Sequence, residues 1–282
     1  MTDSKFEKDD LVDFKKDEKV GLVSTVDRDG NPHVSLITSI QATDEKHLIL
    51  GQFCEGRSKD NLRERPRSGF LILTLDMSYW MGTMSWTGEA DTGEELEEFN
   101  MKPMWRYNTY FGIHRAHYLD VRTVHPRKKI SIPALLPSII TGRMTGLFTA
   151  GTRKEKPINR WTEKLLNNLS SLSFLSWVDK EGYPVIFPAL QLFCRHGNQV
   201  LFAPGEYGKE FETIEKGSVV VVYSLSLQME SVLLRGSFSG LRRVAGMKVG
   251  IIEIDWVYNS MPPVPGQIYP EIPLEAVVVN KD

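Results

Sequence analysis

Apolar residues along this chain gather in short runs separated by turn-forming clusters. Val20 to Val23, Leu48-Ile49-Leu50, Phe70 to Leu73, Leu172 to Leu175, Val200-Leu201-Phe202 and Val219 to Val222 are such runs. Short runs bounded by Gly, Pro, Asp and Asn predict β-strands. Helical signals are fewer. Lead-ins fall near Leu11 to Phe14 and near Trp161 to Leu169, and a short helix opens within GRSKDNL after the third strand. A longer helix is expected around Glu94 to Tyr110, where Glu94, Glu95, Glu97 and Glu98 suit a positive helix N-terminus. Connections are short and strands do not alternate with helices. That pattern predicts a mainly β protein built from antiparallel barrels, not a doubly wound sheet.

The chain also repeats itself. STVDRDGNP begins at Ser24 and SWVDKEGYP at Ser176, an offset of 176 − 24 = 152. The D-x-x-G centre of each supplies the Asx side chain and positive-φ glycine of a tight turn, so each copy reads as strand, hairpin, strand. At the same offset Leu48-Ile49-Leu50 meets Val200-Leu201-Phe202, Gly56 meets Gly208, Arg57 meets Lys209 and Leu62 meets Ile214. Beyond Leu62 the copies are expected to drift by a few residues. Phe70 to Leu73 is then set against Val219 to Val222, Trp86-Thr87-Gly88 against Leu234-Arg235-Gly236, and Tyr118-Leu119-Asp120 against Glu253-Ile254-Asp255. The expected division is a first barrel over 1–125, a linker over 126–153 and a second barrel over 154–282. Pro126, Pro133, Pro137, Gly142 and Gly146 give the linker its turn chemistry. Its Ile and Leu residues imply that it packs on the protein.

Strand, D-x-x-G-x-P hairpin, strand, strand, then GRSKDNLRERPR and another apolar strand together resemble the pyridoxamine 5'-phosphate oxidase-like flavoproteins. These are split β-barrels that bind FMN in a cleft between paired subunits. The resemblance covers both halves and implies two tandem split barrels packed as an intramolecular pseudo-dimer. It assigns the phosphate to Arg57, Ser58, Lys59 and Asn61, the flavin ring to Ser35, Leu36, Ile37 and Thr38, and a looser contact from the opposite barrel to Ser231. Ser35 stands where pyridoxamine phosphate oxidases proper carry an arginine, and their C-terminal Arg and His pattern has no match. The implied function is that of an FMN-binding oxidoreductase with an unidentified small-molecule substrate or redox partner. A non-enzymatic flavin or electron carrier, a haem-binding or haem-degrading protein, and a deazaflavin-dependent relative are the alternatives.

The chemistry of the Gly56 to Leu62 turn fits that assignment. Backbone N–H groups at a helix start face an anion, and an arginine gives a phosphate two parallel hydrogen bonds. The plain alternative is a solvated cap with surface charge. The second copy has Lys209, Glu210 and Glu212 at the equivalent turn, and carboxylates there repel a phosphate. One FMN per chain is therefore expected, with the second barrel serving as a wall. No side chain is singled out as catalytic, because flavin chemistry belongs to the cofactor.

Composition adds mainly exclusions. With 34 Lys and Arg against 36 Asp and Glu, the net charge of -2 gives no reason to expect nucleic acid or an anionic membrane as partner. No apolar stretch approaches the ~20 residues of a membrane span, and the charged start is unlike a secretory signal. Cys54 and Cys194 show no paired spacing, so a reducing cytoplasm is the expected location, and Cys54 is read as a small buried thiol. His114-x-x-His117 with His125 lacks a completing ligand and reads as surface polarity, not metal. The six tryptophans read as core or interface, with one available to stack on the flavin ring. Arg63, Arg65 and Arg67 are the basic residues close in sequence for a longer anionic cofactor, but they alternate along a predicted helix end and strand start and need not converge. The pseudo-dimer leaves room for further pairing of chains.

Overall fold

The computed structural model describes residues 3–102, 112–130, 155–190, 192–226, 228, 230–244, 247–259 and 266–271. Two eight-stranded antiparallel sheets account for most of them. The first holds β1 (Lys19–Val26), β2 (Pro32–Leu36), β3 (Gln41–Ala42), β4 (His47–Gln52), β5 (Arg67–Thr74), β6 (Ser78–Ala90), β7 (Arg115–Val124) and β8 (Lys128–Lys129). Its order is β2-β1-β5-β6-β7-β4-β3, with β8 beside β6. The second holds β9 (Leu172–Val178), β10 (Pro184–Pro188), β11 (Leu192–Arg195), β12 (Gln199–Phe202), β13 (Val219–Leu225), β14 (Ser231–Val244), β15 (Met247–Asn259) and β16 (Gly266–Tyr269). Its order, β10-β9-β13-β14-β15-β12-β11, repeats the first strand for strand. The expected mainly β fold of two tandem split barrels is what forms.

Both hairpins close as the D-x-x-G pattern requires. Asp27 Oδ1 accepts from the N–H groups of Asp29 and Asn31, and Gly30 sits at φ 86°. Asp179 Oδ1 accepts likewise from Glu181 and Tyr183, with Gly182 at φ 81°. The side chain satisfies donors that the turn leaves open, and the glycine takes a conformation other residues resist.

The copies do not drift after Leu62. Val23 pairs with Phe70 and Leu175 with Val222, so β5 and β13 keep the offset of 152. Phe70 pairs with Gly82 and Val222 with Leu234, which carries the offset into β6 and β14. Even the bulges agree: register shifts fall between Trp86 and Gly88 in one, between Phe238 and Gly240 in the other. Gly88 therefore answers to Gly240, not Gly236. The all-apolar run of β13 carries no side-chain landmark, so its register is fixed only by strand pairing. Gly82 faces Val124 and Leu234 faces Val257, so β7 and β15 are offset by 257 − 124 = 133. The lost residues are the insertion after β6, which begins with helix α3 (Glu94–Met101). Residues 103–111, where that helix was expected to continue, lie outside the described residues, as does most of the linker.

Alternate residues of the first sheet serve two cores. Val23, Phe70, Ile72 and Trp80 pack inside the first barrel. Phe6 and Phe14 join them from the N-terminal lead-in and α1 (Leu11–Phe14), the Phe14 ring edge-on to Trp80 at 4.9 Å. Leu22, Leu71, Leu73, Tyr79 and Met81 point the other way and share a cluster with Phe174, Leu175, Ile186 and Val222 of the second barrel. Side chains that alternate across a strand are thus buried on both faces, which explains the unbroken apolar runs.

The seam between barrels has approximate two-fold symmetry. Ser24 Oγ and Ser176 Oγ hydrogen-bond at 2.8 Å, both fully buried. Each is the other's counterpart at offset 152, so the pseudo-dyad passes between them. Backbone also meets backbone here: a Cβ on Gly69 would stand 2.0 Å from the Pro184 carbonyl oxygen.

Candidate functional site

Helix α2 (Arg57–Glu64) follows β4 and carries the predicted phosphate turn. Its N-cap, Gly56, is extended and offers no side-chain cap. By contrast Asn159 caps α4 (Arg160–Asn167) by accepting from the Thr162 N–H. The first turn of α2 therefore presents backbone donors and the positive end of its dipole. Beside it lies a cavity of about 490 Å³ lined by Arg28, Arg57, Arg63 and Asn61 together with Asp27, Asp29, Asp60 and Glu64. Glu64 grips Arg28 with both carboxylate oxygens, and Glu89 and Asp60 hold Arg63. Arg57 has no carboxylate partner among the described residues, and is the cation left for an anion.

Arg57 reaches across the seam. Its guanidinium carbon lies 5.0 Å from the ring centre of Tyr258 and 5.9 Å from that of Trp256, both on β15. Those two rings stack 5.1 Å apart at 9°. Arg235 of β14 covers Trp256 at 5.1 Å, and His33 of β2 meets Tyr258 edge-on at 5.7 Å. Burial pushes the His33 pKa down to about 4, and the Arg57 charge adds to the shift. The imidazole is therefore neutral at pH 7.

The other predicted residues divide. Ser58 and Lys59 are buried on α2. Lys59 has no ion-pair partner among the described residues, and its pKa is lowered, first by desolvation. Asn61 lines the cavity beside Arg57, and its amide donates to Thr25 Oγ1 at 2.9 Å. Ser35 lies half-buried on the same strand face as His33, since the two are alternate residues of β2. Leu36 packs on the seam cluster. Ile37 turns into the first core, its N–H donating to the Gly21 carbonyl, and Thr38 is half-buried just beyond β2. Ser231 opens β14, 1% exposed, and its hydroxyl has no hydrogen-bond partner among the described residues.

The symmetry-related seam is a built-in comparison, because no residue is gained or lost between β4 and β6. Trp177, Phe187, Tyr207 and Phe211 fill it, with ring centres 5.1 Å (Trp177 to Phe187) to 6.3 Å apart. The first barrel closes it with Tyr79, whose hydroxyl meets that of Tyr207 and donates to Glu206 at 3.0 Å, and with His125 against Phe187. The offset of 152 puts Thr25, Ser35, Glu55, Lys59 and Ser231 where Trp177, Phe187, Tyr207, Phe211 and Tyr79 would be. The offset of 133 puts Tyr258 in place of His125. One seam is plugged by aromatic rings; its twin has small or polar residues at five of the six positions. The contrast was readable in the sequence at constant offset. The opposing wall of Arg235, Trp256 and Tyr258, and the contact from His33, were not.

Several expectations are corrected. Cys54 is exposed, because the chain leaves the sheet ahead of α2; Cys194 is buried and its thiol is pushed up to about 12. His117, expected at the surface, is fully buried. Trp86 Nε1 donates to its Nδ1 at 3.3 Å, and its Nε2 lies 2.5 Å from Gln52 Oε1. An indole only donates, so this network assigns the proton to Nε2. Arg65 donates to the Arg28 carbonyl and Arg67 to the Glu181 carbonyl, so Arg63, Arg65 and Arg67 do not converge. Among the described residues no cluster of three metal-ligating side chains occurs, and no helix is long and apolar enough to cross a membrane. Trp105 lies outside the described residues.

Fold and seam together define a split-barrel pseudo-dimer with one polar and one plugged cleft. Residues 8–131 match the family described as pyridoxamine 5'-phosphate oxidase. That match covers the first barrel, and the second barrel repeats its topology. Among solved structures, an FMN-binding protein from Syntrophomonas wolfei subsp. wolfei is 14% identical, covers 44% of this chain and 85% of its own, and has a TM-score of 0.36. HupZ of Group A Streptococcus is 15% identical over 44% of this chain and 95% of its own, TM-score 0.34. General Stress Protein 26 of Bacillus anthracis str. Sterne is 14% identical over 44% and 98%, TM-score 0.32. Likenesses this distant carry no functional argument. Comparison with curated proteins finds no match.

Proposed function

We infer that this protein binds one FMN per chain at the polar seam and uses it as an oxidoreductase. Supporting this is the contrast between the two seams: aromatic rings occupy one, and the other combines a helix start without a side-chain cap with an Arg57 that has no carboxylate partner and a buried Ser231 hydroxyl that has no hydrogen-bond partner among the described residues. Arg57, Ser58 and the α2 backbone take the phosphate, and Lys59 adds a cation beneath it. Asn61 holds the turn in place through Thr25. Ser35 through Thr38 offer backbone and hydroxyl groups to the ring edge, and Ser231 donates from the facing barrel. His33, neutral at pH 7, adds no second charge beside Arg57. FMN supplies the hydride or electron transfer chemistry; these residues bind it, orient it and exclude water.

The first test is what the protein carries when purified. A flavin absorption spectrum, and FMN by mass after the protein is unfolded, are expected. A haem Soret band in place of flavin, a deazaflavin mass, or protein that takes up no FMN on incubation would overturn the reading. Turnover of reduced flavin that accelerates with an added acceptor supports the oxidoreductase; slow oxygen oxidation alone marks a carrier.

A further inference from the structure

Arg235 has no part in the cofactor contacts above. It shares a face of β14 with Ser231 and Leu233, alternate residues of the strand. The counterparts in β6 are Thr83, Tyr79 and Met81. Tyr79 and Met81 pack toward the opposite barrel and Trp80 between them packs into its own. By the same alternation Ser231 and Arg235 face the first barrel across the polar seam.

The two walls differ in how their polar groups are satisfied. Thr83 Oγ1 hydrogen-bonds Thr123 Oγ1 at 2.7 Å, and Tyr79 is engaged by Tyr207 and Glu206. On the polar wall the Ser231 hydroxyl has no partner among the described residues. The ion pair of Arg235 with Asp255 spans 3.9 Å, and its guanidinium rests on Trp256 instead. Trp256 is itself held at the seam by donating from Nε1 to Gln267 Oε1 at 2.9 Å. Where the plugged seam has a satisfied threonine, the polar seam has a cation on an aromatic ledge. A buried hydroxyl without a partner calls for a polar ligand group, and a weakly paired guanidinium on the same face calls for negative charge. Arg57, which lies 5.0 Å from Tyr258 and 5.9 Å from Trp256, is assigned to the phosphate in the flavin reading.

Building on the flavin reading, we propose that the small molecule that reacts at this seam is an anion, and that Arg235 receives its carboxylate or phosphate group over Trp256. Arg235 is then a specificity-determining residue contributed by the second barrel, and this gives the second barrel a role beyond closing the cleft.

The test uses FMN-loaded protein and calorimetric titration with benzoate, phenyl phosphate and the neutral benzamide. Benzoate and phenyl phosphate are expected to bind more tightly than benzamide. Arg235→Gln is expected to weaken both anions about tenfold to hundredfold and to leave benzamide and FMN binding unchanged. Arg235→Lys restores part of the loss. The two anions together separate carboxylate from phosphate preference. Equal binding of anions and benzamide to the wild type, or equal loss of all three probes in Arg235→Gln, overturns the proposal. Failure of the wild type to take up FMN overturns the flavin reading itself and is recorded separately, from flavin fluorescence.

Discussion

Adding a single methyl group at Gly69 tests the seam on which the site depends. An alanine Cβ there would stand 2.0 Å from the Pro184 carbonyl oxygen and 3.1 Å from its carbon. Carbon and oxygen in close contact sit about 3.3 Å apart, so β5 and β10 would have to separate by roughly 1.3 Å. Both atoms belong to paired strand backbone and cannot rotate aside. Overpacking of this kind costs about 1–3 kcal/mol, and rigid neighbours put Gly69→Ala at the upper end. For a chain of this size that lowers the thermal midpoint by roughly 5–10 °C. Gly88→Ala is the control: nothing lies within 4 Å of its added Cβ, so it stays within about 0.5 kcal/mol of wild type. The assay is calorimetry of the three proteins side by side. A Gly69→Ala variant that melts with the wild type would mean that the barrels do not meet through this contact.

The remaining predictions concern the dyad and acid stability. Ser24→Ala leaves Ser176 buried without its partner and costs about 1–3 kcal/mol. Ser24→Ala with Ser176→Ala costs less than the two singles together, by about 1 kcal/mol in a urea double-mutant cycle; strict additivity would contradict the hydrogen bond. His33 and His117 are each held near a pKa of about 4 against 6.5 when unfolded. Below pH 6.5 the unfolded chain takes up protons that the native state refuses, so stability is lost as pH falls from 6.5 toward 4. Each histidine accounts for about 2 kcal/mol at pH 5. Urea midpoints should fall between pH 7.5 and pH 5, and fall less in His33→Asn; an identical fall would show that His33 is not shielded as described.

The strands, both hairpin turns and the duplication were legible because each has a local physical cause. A D-x-x-G turn announces itself through its own side chain and glycine. The register of the repeat beyond Leu62 was not legible, since the valines of β13 are interchangeable to the eye while Phe70 and Gly82 fix it only through pairing. Arg57 was legible from helix-start chemistry. Its aromatic partners were not: Trp256 and Tyr258 lie some two hundred residues on, and strands buried on both faces give no sign of which face meets the other barrel. The exposure of Cys54 and the burial of His117 were not legible, because each depends on which residues the folded chain covers. The insertion after β6 was visible as a helix signal, and its extent beyond Lys102 lies outside the described residues.

The central claim is asymmetry between two seams of one architecture, and stoichiometric titration with FMN tests it most directly. Flavin-free wild type should bind one equivalent per chain, as should Lys209→Ala. Arg57→Ala should weaken that site about tenfold to hundredfold, the loss of a charge-assisted hydrogen bond. Two equivalents of equal affinity, or equal losses in Arg57→Ala and Lys209→Ala, would contradict the account.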